Sequence, residues 1–244
     1  MNRRSFLIGL SSLIVASKLK AFGKSSLFEV GILKHDKNHD IRNNGIKKVL
    51  WEVAKRTSIE VSFETPSIDL NDKMELFKHP FLYFTGNNTI EFSDKQIENL
   101  KSYLDFGGFL FIDSNEGVFN GLFHKSVEKL ISKLYTSETL KILSKDSIIY
   151  RTFNLLDKPY GRVSIDNDFY GIEKGKRIEV LYSQNDIMGA CSKDLMGNWE
   201  YGVIGGDYQR EMAFRTGINI VMYANCLDYK LDQVHIEYLL NSRR

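Results

Sequence analysis

Residues 80–112 constrain the fold more than any other stretch of the chain. Pro80-Phe81-Leu82-Tyr83-Phe84-Thr85 is apolar at nearly every position. A strand with one wet face alternates, so a continuous run of this kind suits a parallel strand covered on both faces. Gly86-Asn87-Asn88 breaks it. Ser93, followed three residues later by Gln96, is a capping-box signature, and Ile97, Leu100 and Leu104 then set one apolar face along a helix. Gly107-Gly108 supplies the left-handed stop, and Phe109-Leu110-Phe111-Ile112 is a second doubly buried run. Strand, helix and strand in this order form a βαβ unit with a right-handed crossover.

The rest of the chain extends that unit. Residues 28–33 read as a strand, 35–44 as a polar loop, and Ile46, Val49, Leu50 and Val53 recur at helical spacing up to Thr57. Alternation over 59–63 predicts a second strand, and 72–78 a short helix. Phe123, Val127, Leu130, Ile131 and Leu134 continue with an amphipathic helix. After Tyr135 short apolar stretches alternate with turn residues. Glu173-Lys174-Gly175-Lys176 between two β-rich runs predicts a hairpin, and a last helix runs from about 208 to 226. With 43% apolar residues, three prolines, and neither linker nor repeat, residues 24–244 read as one α/β domain. Two cysteines exclude a disulfide-dense scaffold and a four-cysteine zinc site.

Residues 1–23 have a different character. Arg3 and Arg4 precede an apolar run over 6–16, and Lys18 and Lys20 lead into Ala21-Phe22-Gly23. A charged start, a short apolar core and a small-residue end make an export signal. The run is too short for a stable membrane span. Paired arginines before Ser-Phe-Leu point to the twin-arginine type, which places the body in the periplasm or otherwise outside the cytoplasm. Membrane contact is then expected only through this segment, cleaved or retained as an anchor. Without its four cations the balance is 29 basic to 31 acidic residues. That excludes the strongly basic footprint of a nucleic-acid binder.

In an open parallel sheet, ligands bind beyond the carboxyl ends of the strands. The candidate ligand site is therefore Thr85, Gly86 and Asn87 after one strand, Asp113, Ser114 and Asn115 after the next, Asp186 after the hairpin, and Arg215 on the last helix. Asp113 suits a metal, a ligand hydroxyl or general-base work, or, as a structural residue, a helix cap or loop hydrogen bond. Ser114 lacks the glycines two residues to either side that a nucleophile elbow uses. His35 and His39 have metal-ligand spacing only if helical, and they fall in a polar loop. Arg210 and Arg215 fit either an internal ion pair or an anion clamp. Cys191 and Cys226 are a candidate pair in an exported protein, although Cys226 also suits simple packing. No metal and no cofactor are expected.

Several stretches together carry a resemblance. They are residues 79–86, the stretch from Tyr103-Leu104 to Gly107-Gly108-Phe109-Leu110-Phe111-Ile112-Asp113, Tyr150-Arg151-Thr152-Phe153, Tyr182-Ser183-Gln184-Asn185-Asp186, residues 215–224, and Tyr229-Lys230-Leu231-Asp232-Gln233-Val234-His235. In this order they resemble the bacterial family called domain of unknown function 4159, over nearly all of the chain after the signal. The resemblance implies a flavodoxin-like, class I glutamine amidotransferase-like three-layer sandwich, with a mainly parallel sheet and an added β-hairpin. It implies no activity. A working amidotransferase needs a cysteine on the elbow, and residues 113–117 contain none. His235-Ile236-Glu237 mimics the His-x-Glu spacing without a nucleophile to serve. Two functions are therefore expected. The first is an exported, non-catalytic domain that binds an unknown ligand or protein. The second is an exported hydrolase using Asp113 with Ser114, or Cys191.

Overall fold

A computed structural model describes residues 27–36 and 38–241, with the side chains of the last helix described through Leu227. The expected signal and the His235-x-Glu237 side chains lie outside the described part. The elements are β1 (Val30–Leu33), α1 (Asn43–Arg56), β2 (Ser67–Ile68), α2 (Lys73–Leu76), β3 (Phe81–Gly86), α3 (Asp94–Asp105), β4 (Phe109–Ser114), α4 (Leu122–Leu134), β5 (Lys141–Ile142), β6 (Tyr170–Lys174), β7 (Arg177–Ser183), α5 (Ile187–Cys191) and α6 (Gly206–Asn241). A 3-10 turn at Ile148–Tyr150 lies between β5 and β6.

Among the described residues seven strands form one sheet, in the order β2-β1-β3-β4-β7-β6-β5. The five from β2 to β7 are mutually parallel, while β6 and β5 add an antiparallel flank. The hairpin of β6 and β7 turns at Gly175, whose φ of 65° favours glycine. Helices cover both faces, consistent with a three-layer sandwich. Alternate residues of β3 feed two cores. Phe81 and Tyr83 join α1, α5 and α6 on one side, and Leu82 and Phe84 join α3 and α4 on the other. This double burial is why the strand reads as an unbroken apolar run.

The βαβ unit forms as its sequence dictates. Ser93 Oγ accepts from the Gln96 amide at 3.4 Å, and Gln96 Oε1 accepts from the Ser93 amide at 2.9 Å, a complete capping box. Gly107, at φ 106°, ends α3. β3 and β4 are neighbours, with Thr85 opposite Asp113 and Gly86 opposite Ser114.

The strand predicted over 59–63 is not where the edge strand forms. Val61 makes only an isolated bridge to Phe28, and Phe63 is half-exposed. Pairing resumes at Ser67, after Pro66, which has no N–H to give but accepts from the Ile32 amide at 2.8 Å. The last helix also runs further than predicted, to Asn241. Among the described residues, no helix is long and apolar enough to cross a membrane.

Candidate functional site

Three strands deliver the predicted residues to one end of the sheet. β4 ends on Asp113 and Ser114, β3 on Thr85 and Gly86, and β7 leads through Gln184 and Asn185 to Asp186. Asp186 sits at φ 55° and ψ 60°, a left-handed residue at a strand-to-helix turn, and it is the N-cap of α5. An L-residue there costs about 1–2 kcal/mol, so its neighbours must hold it in place.

They do so through charge. Arg42, the residue before α1, grips Asp186 with one edge of its guanidinium. Nε donates to Oδ1 and Nη2 to Oδ2, each at 2.7 Å. Arg162 Nε donates to the same Oδ2, and the Gly189 amide donates to Oδ1 at 3.1 Å. Asp186 is fully buried and Arg42 is 4% exposed. The Arg42 guanidinium also lies 4.0 Å over the Tyr201 ring. Burial opposes its charge, yet the hydrogen bonds to Asp186 raise its pKa.

Asp113 fills the start of α5 from the other side. Its Oδ1 accepts from the Ile187 amide and its Oδ2 from the Met188 amide, both at 2.9 Å. The Tyr83 hydroxyl donates to Oδ2 at 3.4 Å. A helix start offers free amides to an acceptor, and here both carboxyl oxygens of the protein's own Asp113 take that place. Asp113 is 0% exposed. Burial, then the Asp186 carboxylate, pushes its pKa up to about 7, against the pull of the two amides and Arg42. Burial and the Asp113 charge push the Tyr83 hydroxyl well above its ordinary value.

The remaining candidates are also built into the framework. Thr85 Oγ1 donates to the Asp113 carbonyl at 2.6 Å and accepts from Asn115 Nδ2 at 3.1 Å. Gly86 lies under the Phe123 ring, where a Cβ would come within 2.4 Å of an aromatic carbon. Asn87 is exposed, and its side-chain oxygen accepts from Asn88. Ser114, 1% exposed, has its Oγ accepting from the Glu116 amide at 3.4 Å. Glu116 in turn caps α4 through the Leu122 and Phe123 amides, at 2.6 and 3.1 Å.

Arg215 does not reach this cluster. It is exposed on α6 and pairs with Glu211 at 3.0 Å, one turn away. Among the described residues Arg210 makes no ion pair: its guanidinium donates to the Ala190 and Tyr201 carbonyls and covers the Trp199 ring at 3.9 Å. Cys191 and Cys226 are unpaired, the first buried and the second exposed. Burial raises the Cys191 thiol well above its ordinary pKa, which disfavours the thiolate a nucleophile needs.

His35 and His39 are held apart from any shared metal geometry. His35 Nε2 donates to the Thr85 carbonyl at 2.7 Å, while His39 contacts the Asp36 carbonyl and Ser67 Oγ. Burial lowers the His35 pKa despite the neighbouring Asp36. Among the described residues, no group of three or more His, Cys, Asp or Glu is placed to hold a metal ion.

Sequence reasoning missed Arg42, Arg162 and Tyr83. Arg42 had a signal: a cation at a helix start opposes the macrodipole, so it needs an acidic partner from elsewhere in the chain. Arg162 follows Gly161, where a Cβ would stand 2.0 Å from the Asn185 carbonyl oxygen, and that closeness is a tertiary fact. The cluster as a whole clamps α5 between β4 and α1. No curated protein matches the chain. The family model described as a domain of unknown function (DUF4159) matches residues 29–224, and the chain belongs to that family.

Proposed function

We propose that the chain is an exported, non-catalytic binding domain on a flavodoxin-like, amidotransferase-like scaffold. The observation that carries this reading is the Asp113 carboxylate on the Ile187 and Met188 amides. The helix start that would receive an anionic ligand is already occupied from within. The strand order β2-β1-β3-β4-β7, reversing direction between β1 and β3, supports the scaffold assignment. Paired Arg3 and Arg4 before the apolar run support export.

Binding is then the work of the rim rather than the interior. Asn87 and Asn88 are exposed beyond β3. Val118 and Phe119 on the β4–α4 connection, and Leu122 at the start of α4, are each more than half exposed. Next to them a Cβ on Gly117 would meet Arg162 Nη2 at 3.2 Å, so the Arg162 guanidinium borders this rim. An apolar patch beside an arginine suits a partner with an anionic and an apolar group.

Exported hydrolysis is the second reading. An Asp113 pKa of about 7 favours it, since that is the range of a general base. The two readings separate on chemical labelling of the native protein. A fluorophosphonate should leave Ser114 untouched. Iodoacetamide should modify Cys226 and spare Cys191, so that Cys226 serves as the positive control. Modification of Ser114 or Cys191 under native conditions would overturn the non-catalytic reading. Glutamine should release no ammonia above background. Export is tested by changing Arg3 and Arg4 to Lys ahead of a folded reporter fused after Lys24; unchanged export would exclude the twin-arginine route.

A further inference from the structure

The segment after α5 combines order with exposure in a way the rim reading does not use. Residues 193–199 form a short hairpin, closed by a bridge between Lys193 and Trp199. Its turn is fixed. Asp194 Oδ1 accepts from the Met196 and Asn198 amides at 2.9 and 2.8 Å, the Gly197 amide donates to the Asp194 carbonyl at 3.0 Å, and Gly197 takes φ 85°. The base is anchored as well. The Trp199 ring lies under Arg210, with Lys193 Nζ 4.2 Å from its centre, and Asn44 Nδ2 donates to Glu200 at 2.6 Å, tying the hairpin to α1. Yet Leu195 is 104% exposed and Met196 89%. A rigid turn that projects two large apolar side chains gains nothing from them in folding.

The surroundings say what would cover them. Lys193 lines an open groove with Asn44, Lys47, Lys48, Trp51 and Phe63. The two aromatics are each nearly half exposed, and Lys48 Nζ stands 3.4 Å over the Trp51 ring. Lys47, Lys48 and Lys193, with Lys55 at 5.0 Å from the centre of the Trp51 ring, outnumber the unburied carboxylates of this face: Asp194 and Glu200 keep their charge on neutral amides, and Glu64 stands beside Lys47. The buried Glu52 is offset between Lys48 and Arg56. Projecting apolar residues, aromatics at the next level and a rim of lysines match the depth profile of an interfacial membrane contact. A protein partner would need a preformed socket for a fully projecting Leu-Met pair; a lipid surface needs none.

We propose that this face docks on an anionic lipid membrane, with Leu195 and Met196 entering the headgroup–acyl boundary and Lys47, Lys48 and Lys193 meeting lipid phosphates. This gives the body a membrane contact of its own, separate from the one expected of residues 1–23 and independent of the rim. The test places a reporter on the tip itself, so that binding by the leading segment cannot imitate it. In the full chain, Leu195→Cys with Cys226→Ser carries an environment-sensitive nitrobenzoxadiazole label; the exposed tip tolerates the change, and buried Cys191 stays unlabelled. Mixed with vesicles of equal parts phosphatidylglycerol and phosphatidylcholine, the label should brighten severalfold and shift to the blue. With phosphatidylcholine alone it should not. Adding Lys47→Glu and Lys193→Glu should weaken the response at least about tenfold in lipid concentration. An unchanged label on phosphatidylglycerol vesicles, even where the protein sediments with them, would overturn the proposal and leave a protein as the occupant of this face. A response equal in both lipids, or one indifferent to the two lysine changes, would also overturn it.

Discussion

Replacing Asp113 by Asn should change how stability depends on pH more than it changes stability itself. In the folded protein Asp113 has a pKa of about 7, against 3.8 when unperturbed. A group whose folded pKa is raised stabilises the fold fully below its unfolded value, and that contribution is lost as pH rises through the folded one. In the window between, the unfolded chain has released the proton and the folded one has kept it, so unfolding stability falls with pH. Each pH unit carries about 1.4 kcal/mol, so the loss between about pH 4.5 and 7 is roughly 3 kcal/mol. The substituted amide cannot titrate, and the variant should lack this slope. It keeps one acceptor for an α5 amide but turns an NH2 toward the other, a fixed cost of about 1–3 kcal/mol. The variant should therefore be the less stable protein near pH 4.5, with the gap closing or reversing by pH 7. Urea unfolding of both proteins across this range measures the difference; groups remote from Asp113 cancel in it, and the coupled Asp186 carboxylate, held by Arg42 and Arg162, is the neighbour that does not. Two stability curves that stay parallel would refute the assignment of a proton to Asp113.

Two more predictions concern the same clamp. Asp186→Ala leaves Arg42 buried without a carboxylate, which should cost about 3–5 kcal/mol in thermal or urea unfolding; a loss under about 1 kcal/mol would mean that the ion pair contributes little. Gly45→Ala should destabilise although Ala is the better helix former by about 1 kcal/mol. Its Cβ would lie 2.0 Å from the Met188 carbonyl oxygen, a backbone atom that cannot turn aside, and forced overpacking costs about 1–3 kcal/mol or more. A raised urea midpoint for Gly45→Ala would show that α1 and α5 separate easily.

The parts of this fold that could be read in advance are those whose reasons are local. The capping box at Ser93, the stop at Gly107 and the double burial of residues 81–84 and 109–112 each need only neighbouring residues and a period. The placement of Asp113 beside the β3 loop followed from the short crossover. Its partner did not: the Ile187 and Met188 amides are 74 and 75 residues away in sequence, and α5 is too short to announce itself by periodicity. Arg215 looked like a site residue because its helix is largely apolar, but its own side chain is exposed to water. Residues 59–63 alternate as a strand should, and the sheet still takes up Ser67 and Ile68, because a sheet edge is decided by what Pro66 can reach.

The sheet begins and ends on strands of two residues each, β2 and β5. A foreign strand laid against either edge would find only a rung or two of main-chain hydrogen bonds before the chain turns away. At β5 it would also meet the exposed Lys141. Growth by strand addition, a ready route from a β-sheet to an aggregate, is thus blocked at both flanks. The same feature limits what other molecules can use. A partner cannot read this sheet by extending it, so recognition has to pass through side chains on the loops and helices, where one substitution alters affinity without disturbing the ladder beneath.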